Sequence, residues 1–132
     1  MPQREIQFPN DIILKDDDGN EMKDETGKPA VIPSGKFVKV LLQNPAFIAN
    51  MDAIVIGFAI KAAYDKREEG KWTISDEDWT MLKAAIDKPE FEQITIQNGQ
   101  PTRQSIKGFP FSPIVTPQLL PYMLAIKNAK QV

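Results

Sequence analysis

AFIANMDAIVIGFAIKAAY, residues 46–64, is almost wholly apolar yet carries Asn50, Asp52 and Lys61. Wound as a helix at about 100° per residue, it puts Asn50, Gly57, Lys61 and Glu68 on one narrow stripe and hydrophobic side chains on most of the remaining surface. Such a helix has to be covered on most sides, by the rest of a small domain or by other subunits. The stretch matches a membrane span in length. However, Asp52 and Lys61 would each cost about 2.5–3.5 kcal/mol near a bilayer centre, so a buried helix and no membrane association are expected.

Working outward, Asn44-Pro45 reads as an N-cap followed by a proline at the first helical position. The helix is expected to run from there to Glu69 and to stop at Gly70. On its N-terminal side, Ser34 is expected to cap a short helix over residues 36–43. Further upstream, Ile6 and Phe8, then Ile12, Ile13 and Leu14, suggest an edge-type strand broken at Pro9. Ala30, Val31 and Ile32 offer the returning strand of a β-hairpin whose tip is the polar, acidic run of residues 15–29.

On the C-terminal side, Ser75 should cap a helix opened by Asp76, Glu77 and Asp78, with Trp79, Met81, Leu82, Ala85 and Ile86 on its apolar face. Residues 90–115 read as irregular or weakly β, with Ile94-Thr95-Ile96 strand-like and Asn98-Gly99 a hairpin-type turn. Thr116-Pro117 suggests the cap of a terminal helix bent at Pro121. The expected fold is therefore α+β and a single domain. It comprises a hairpin region (1–33), a helical core (34–89), an irregular or β connector (90–115) and a C-terminal helix (116–132), with three to four helices in all.

The chain has 132 residues, 42% hydrophobic and 26% charged, with net charge −2, the composition of an ordinary globular domain. No clustered basic surface points to nucleic acid. With no cysteine and no histidine, thiolate and imidazole catalysis and the usual Cys/His zinc sites are excluded. Asp16, Asp18 and Asn20 resemble the start of a calcium loop. Its sixth position is Glu21 instead of Gly, and its twelfth is Gly27 instead of Glu. No metal or cofactor is expected.

Six residues stand out as candidate interface positions or buried anchors. Asp52 projects from the apolar arc of the central helix, so it should be a paired, buried anchor ahead of an interface residue or a catalytic acid. Phe58 shares that helix. Trp72 and Trp79 flank Ser75 and are expected to clamp the 70–75 loop ahead of forming a contact patch. Phe109 and Phe111, in GFPFSP, either plug the core or dock on a neighbouring subunit.

The chain resembles small proteins of the virion-morphogenesis modules of tailed bacteriophages. The resemblance lies in the N-terminal hairpin with an acidic turn, the step Gln43-Asn44-Pro45-Ala46-Phe47, the S-D-E-D-W-x-x-L opening from Ser75 to Leu82, and the closing helix from Pro117 to Met123. These motifs are caps and packing patterns, and residues 90–113 have no counterpart. The resemblance implies a non-enzymatic protein in the cytoplasm of a bacterial host or associated with the virion, acting in virion assembly with itself as a homo-oligomer and with another phage structural protein. The alternative is a phage-encoded regulator or inhibitor that binds a host protein or sequesters a small ligand. An enzyme using carboxylates alone would need a pocket that gathers two or more of Asp52, Asp76, Glu77, Asp78 and Glu92.

Overall fold

A computed structural model describes residues 2–132. In chain order it contains β1 (Gln3–Gln7), β2 (Ile12–Ile13), β3 (Val31–Ile32), α1 (Ser34–Leu42), α2 (Met51–Asp65), β4 (Lys71–Ser75), α3 (Asp76–Asp87), β5 (Glu90–Gln97), β6 (Gln100–Lys107), α4 (Leu120–Lys127) and β7 (Lys130–Gln131). 3₁₀ turns at Pro45–Phe47 and Thr116–Leu119 precede α2 and α4. The α+β class is as expected; several boundaries are not.

β1 lies at the centre of a three-stranded antiparallel sheet, between β4 and β7, and is not an edge strand. Lys71-Trp72-Thr73-Ile74-Ser75 alternates between exposed and buried with period two, which makes it a strand and not the loop expected before α3. Ile6 faces Trp72 across this pairing, and Arg4 faces Ile74. Arg4 is the one charge on that inward face. Its Nε donates to Asp76 at 2.6 Å and its guanidinium lies 4.1 Å from the centroid of the Trp79 ring.

Ile60 and Tyr64 of α2, Leu82, Ala85 and Ile86 of α3, and Tyr122 and Ile126 of α4 pack toward the sheet, and Phe37, Val38 and Leu41 of α1, seated on α2 and α3, complete the same core. Phe8 is the hub of an aromatic cluster, with ring centroids 5.4 to 6.1 Å from Tyr122, Trp72 and Tyr64. Ser34 is not the α1 cap: Pro33 precedes the helix, and the buried Ser34 hydroxyl pairs with that of Tyr64.

The N-terminal hairpin is present in part. β2 and β3 pair antiparallel over two residues. Between them the chain doubles back twice, through isolated bridges at Lys15–Glu21 and Lys23–Pro29. Both reversals use one device, D-x-x-G. The Asp16 carboxylate accepts from the amides of Asp18 and Asn20, and that of Asp24 from Thr26 and Lys28, with Gly19 and Gly27 at φ +83°.

The long central helix breaks into two pieces. Asn44 caps only the 3₁₀ turn, accepting from the Ala46 amide. Asn50, extended at φ −159°, then caps α2 by accepting from Ala53 at 2.9 Å. α2 ends at Asp65, four residues early: Lys66 already leaves helical geometry at φ −93° and ψ 9°, and the chain then turns into β4 through Glu69 and Gly70 at positive φ. At the other end of the chain, Thr116 opens a 3₁₀ turn, and Pro121 falls in the first turn of α4, where a missing N–H breaks no ladder bond.

Candidate interaction surface

α2 buries a narrow stripe. Ala53, Ile60 and Tyr64 are buried, and Ile56 and Ala63 half-buried, at helical spacing. Gly57, half-buried against Phe47, widens the covered stripe on one side. On the opposite side Met51 (78% exposed), Ile54 (42%), Val55 (58%) and Phe58 (73%) repeat at i, i+3, i+4 and i+7, and exposed Ile48 lies just before the helix. One flank of this row opens into a shallow groove of 220 Å³, walled by Phe47, Ile48, Ile54, Phe58 and Lys61. Lys61 is held by Asp65 one turn on, at 2.5 Å.

The same rotation of α2 corrects the reading of Asp52. It is exposed, about 100° around the helix from buried Ala53, and is no buried anchor. Its carboxylate lies in the first turn, where the helix N-terminus favours negative charge. Phe58, equally exposed, is no anchor either and stays an interface candidate.

The two tryptophans are inside. Trp72 lies in β4, its Nε1 without a hydrogen-bond partner among the described residues. Trp79 Nε1 donates to the Ile126 carbonyl at 2.7 Å. They hold a strand and a helix to the core and neither clamp a loop nor form an outer patch. Phe109 and Phe111 are half-buried and packed against the core, with the Phe109 ring 6.2 Å from that of Phe37.

The β5–β6 hairpin is longer and more regular than the irregular or weakly β connector expected over residues 90–115. It pairs in continuous register from Glu90↔Lys107 to Gln97↔Gln100 around the turn Asn98-Gly99, whose residues have φ +52° and +76°. Positive φ at both central positions makes a type I′ turn, the one whose twist suits a hairpin. Partial cover is confined to the base, at Glu90, Phe91 and Ile106, and to Thr95; Ile94 and Ile96 stand 66% and 77% exposed. The strand-like Ile94-Thr95-Ile96 and the Asn98-Gly99 turn were legible, whereas QPTRQSIK, polar and with a proline, hid β6.

The candidate carboxylates do not converge on either of the two largest clefts. One, of 920 Å³, is lined by Glu5, Ala59, Lys66, Glu69 and Trp72 among others; the other, of 950 Å³, by Gln7, Asn10, Lys71, Pro121 and Asn128 among others. Asp52, Asp76, Glu77, Asp78 and Glu92 line neither. Asp76 is engaged by Arg4, and Glu92 lies 3.9 Å from Arg103. Burial raises the Asp78 carboxyl above its ordinary value, against the Ser75 hydrogen bond that lowers it. Among the described residues no three or more acidic side chains are grouped to hold a metal ion, and no helix is long and apolar enough to cross a membrane.

Comparison with protein-family models, with curated proteins and with solved structures finds no match to this chain.

Proposed function

We propose that the chain is a non-enzymatic assembly protein of a tailed bacteriophage, and that it works by self-association through the outer face of α2. The observation that carries this reading is the exposed row Met51, Ile54, Val55 and Phe58, extended by Ile48. A contiguous apolar row of this kind marks an interaction site. The occupant is a second copy. The four residues carry no charge, and the nearest charges on that face, Lys61 and Asp65, neutralise each other as a pair, so the same residues can meet themselves across a two-fold axis, as an isologous contact requires. The phage assignment rests on the sequence resemblance of the caps and closing helix. The scattered carboxylates favour a binding role over catalysis.

Sedimentation equilibrium over micromolar concentrations tests the reading. The native chain should exceed 14.8 kDa, and Phe58→Glu should move the distribution toward that mass without unfolding the protein. A native chain that stays at the monomer mass throughout removes the proposal.

A further inference from the structure

The β5–β6 hairpin holds a second self-complementary surface, along the outer edge of β5. Eight residues of strand span about 27 Å, and an isolated two-stranded ribbon is at best marginally stable in water. Both outer edges are unpaired among the described residues. They are not equivalent. In a two-residue hairpin the residues flanking the turn, Gln97 and Gln100, bond each other, so the odd-numbered β5 residues point their backbone groups inward. The Gly108 amide donating to Pro89 at 2.8 Å continues that alternation. The even-numbered residues therefore turn their amides and carbonyls outward: Glu92, Ile94 and Ile96 on β5, and Pro101, Arg103 and Ser105 on β6. Pro101 has no N–H to offer, which blunts the β6 edge near the tip. The β5 edge has no such block.

We propose that β5 pairs antiparallel with β5 of a second copy, about a two-fold axis through Thr95, to give a four-stranded sheet in the order β6-β5-β5-β6. This rests on the reading of the chain as self-associating but does not use α2. Outward-facing residues have to oppose outward-facing residues, which allows only a few registers. The one centred on Thr95 sets Ile94 against Ile96 of the second copy, and Gln93 against its Gln97. On one face, Ile94 and Ile96 of both copies then form an apolar cluster bordered by Pro101. On the other face, Thr102, Thr95 and their mates line up between rows of glutamine. A shift of the axis to Ile94 sets Glu92 against Ile96 and breaks the match. One further atom points the same way. The Thr95 hydroxyl is shielded from solvent yet has no hydrogen-bond partner among the described residues. The Thr95 of the second copy, directly opposite, supplies one after rotation about χ1.

The chain has no cysteine, so Thr95→Cys places a single thiol at the axis. Directly opposed residues of a non-hydrogen-bonded antiparallel pair lie about 4.5 Å apart at Cα, within the roughly 4.4–6.8 Å that a disulfide bridges. Mild oxidation should convert Thr95→Cys to a disulfide-linked dimer of twice 14.8 kDa on a denaturing gel, while Thr102→Cys, on the same face one strand away, forms no covalent dimer. Thr95→Cys that remains monomeric, or cross-links no faster than Thr102→Cys, overturns the proposal. Without any substitution, the Ile94 and Ile96 amides should exchange more slowly as protein concentration rises; fast exchange at every concentration overturns it too. Cross-linking of Thr95→Cys should persist when Phe58→Glu is added. Its loss there overturns edge pairing as a contact of its own, whereas its persistence in a protein whose α2 variant does not change sedimentation would remove only the α2 reading.

Discussion

The Tyr122 hydroxyl donates to the Ile32 carbonyl at 2.6 Å, across 90 residues of chain. The same oxygen accepts from the Ile12 amide at 3.1 Å. One fully buried side chain of α4 thus ties both strands of the β2–β3 pair to the core.

Tyr122→Phe removes both of these side-chain hydrogen bonds from the β2–β3 pair, whose backbone groups keep each other as partners, and should cost about 0.5–1.5 kcal/mol per bond in urea denaturation. Burial raises the Tyr122 phenol above its ordinary value of 10.0, partly offset by the Ile12 hydrogen bond. Raised in the folded state, the group stabilises the protein fully below pH 10 and loses that contribution as pH climbs through the folded value. The native chain should therefore weaken on alkaline titration more steeply than Tyr122→Phe.

Asp52→Ala should cost no more than about 1 kcal/mol, the size of a helix-dipole contribution at an exposed first turn. A loss of several kcal/mol, as for a buried carboxylate stripped from its partner, would contradict the exposed position. Thermal unfolding of Asp52→Ala and Asp52→Asn side by side decides it.

Gly70→Ala should destabilise by about 1–3 kcal/mol. Gly70 has φ +81°, and an added Cβ would lie 2.7 Å from the Phe8 carbonyl oxygen, part of the backbone that the Phe8 amide anchors to Gly70 at 3.0 Å. Differential scanning calorimetry measures the loss, and an unchanged midpoint would mean that the β1–β4 corner can relax.

The second acidic turn should open in acid. The Asp24 carboxyl is held below its usual 3.8, first by the Thr26 side chain and then by backbone amides. Its contribution is present above that usual value and fades as pH falls through the lowered one. Amide exchange at Thr26 and Lys28 should accelerate there in the native chain. In Asp24→Asn, whose side chain accepts the same bonds without titrating, exchange should show no such onset.

Features whose energetics involve near neighbours were readable from the residues. Ser75 caps α3 as expected, and Asn44 makes a cap too, though of a 3₁₀ turn and not of the central helix, because a cap needs only an amide two or three residues away. Asn98-Gly99 turns its hairpin because positive φ is favourable there whatever surrounds it. The acidic opening of α3 and its apolar face have the same local origin.

What lay beyond reach depends on residues distant in sequence. Lys71 to Ser75 becomes a strand because β1, some seventy residues earlier, presents a free edge; the alternation was there, but no local rule supplies the partner. α2 could have buried either side of its apolar cylinder, since composition alone does not rank them. The choice fell on Ala53, Ile60 and Tyr64 because Tyr64 fits among Phe8, Trp72 and the Ser34 hydroxyl. That rotation left Asp52 and Phe58 outside together, and with them the surface on which the association reading rests. Burial is a property of the whole packing, so a charge on a hydrophobic helix does not reveal from its own neighbours which way it will face.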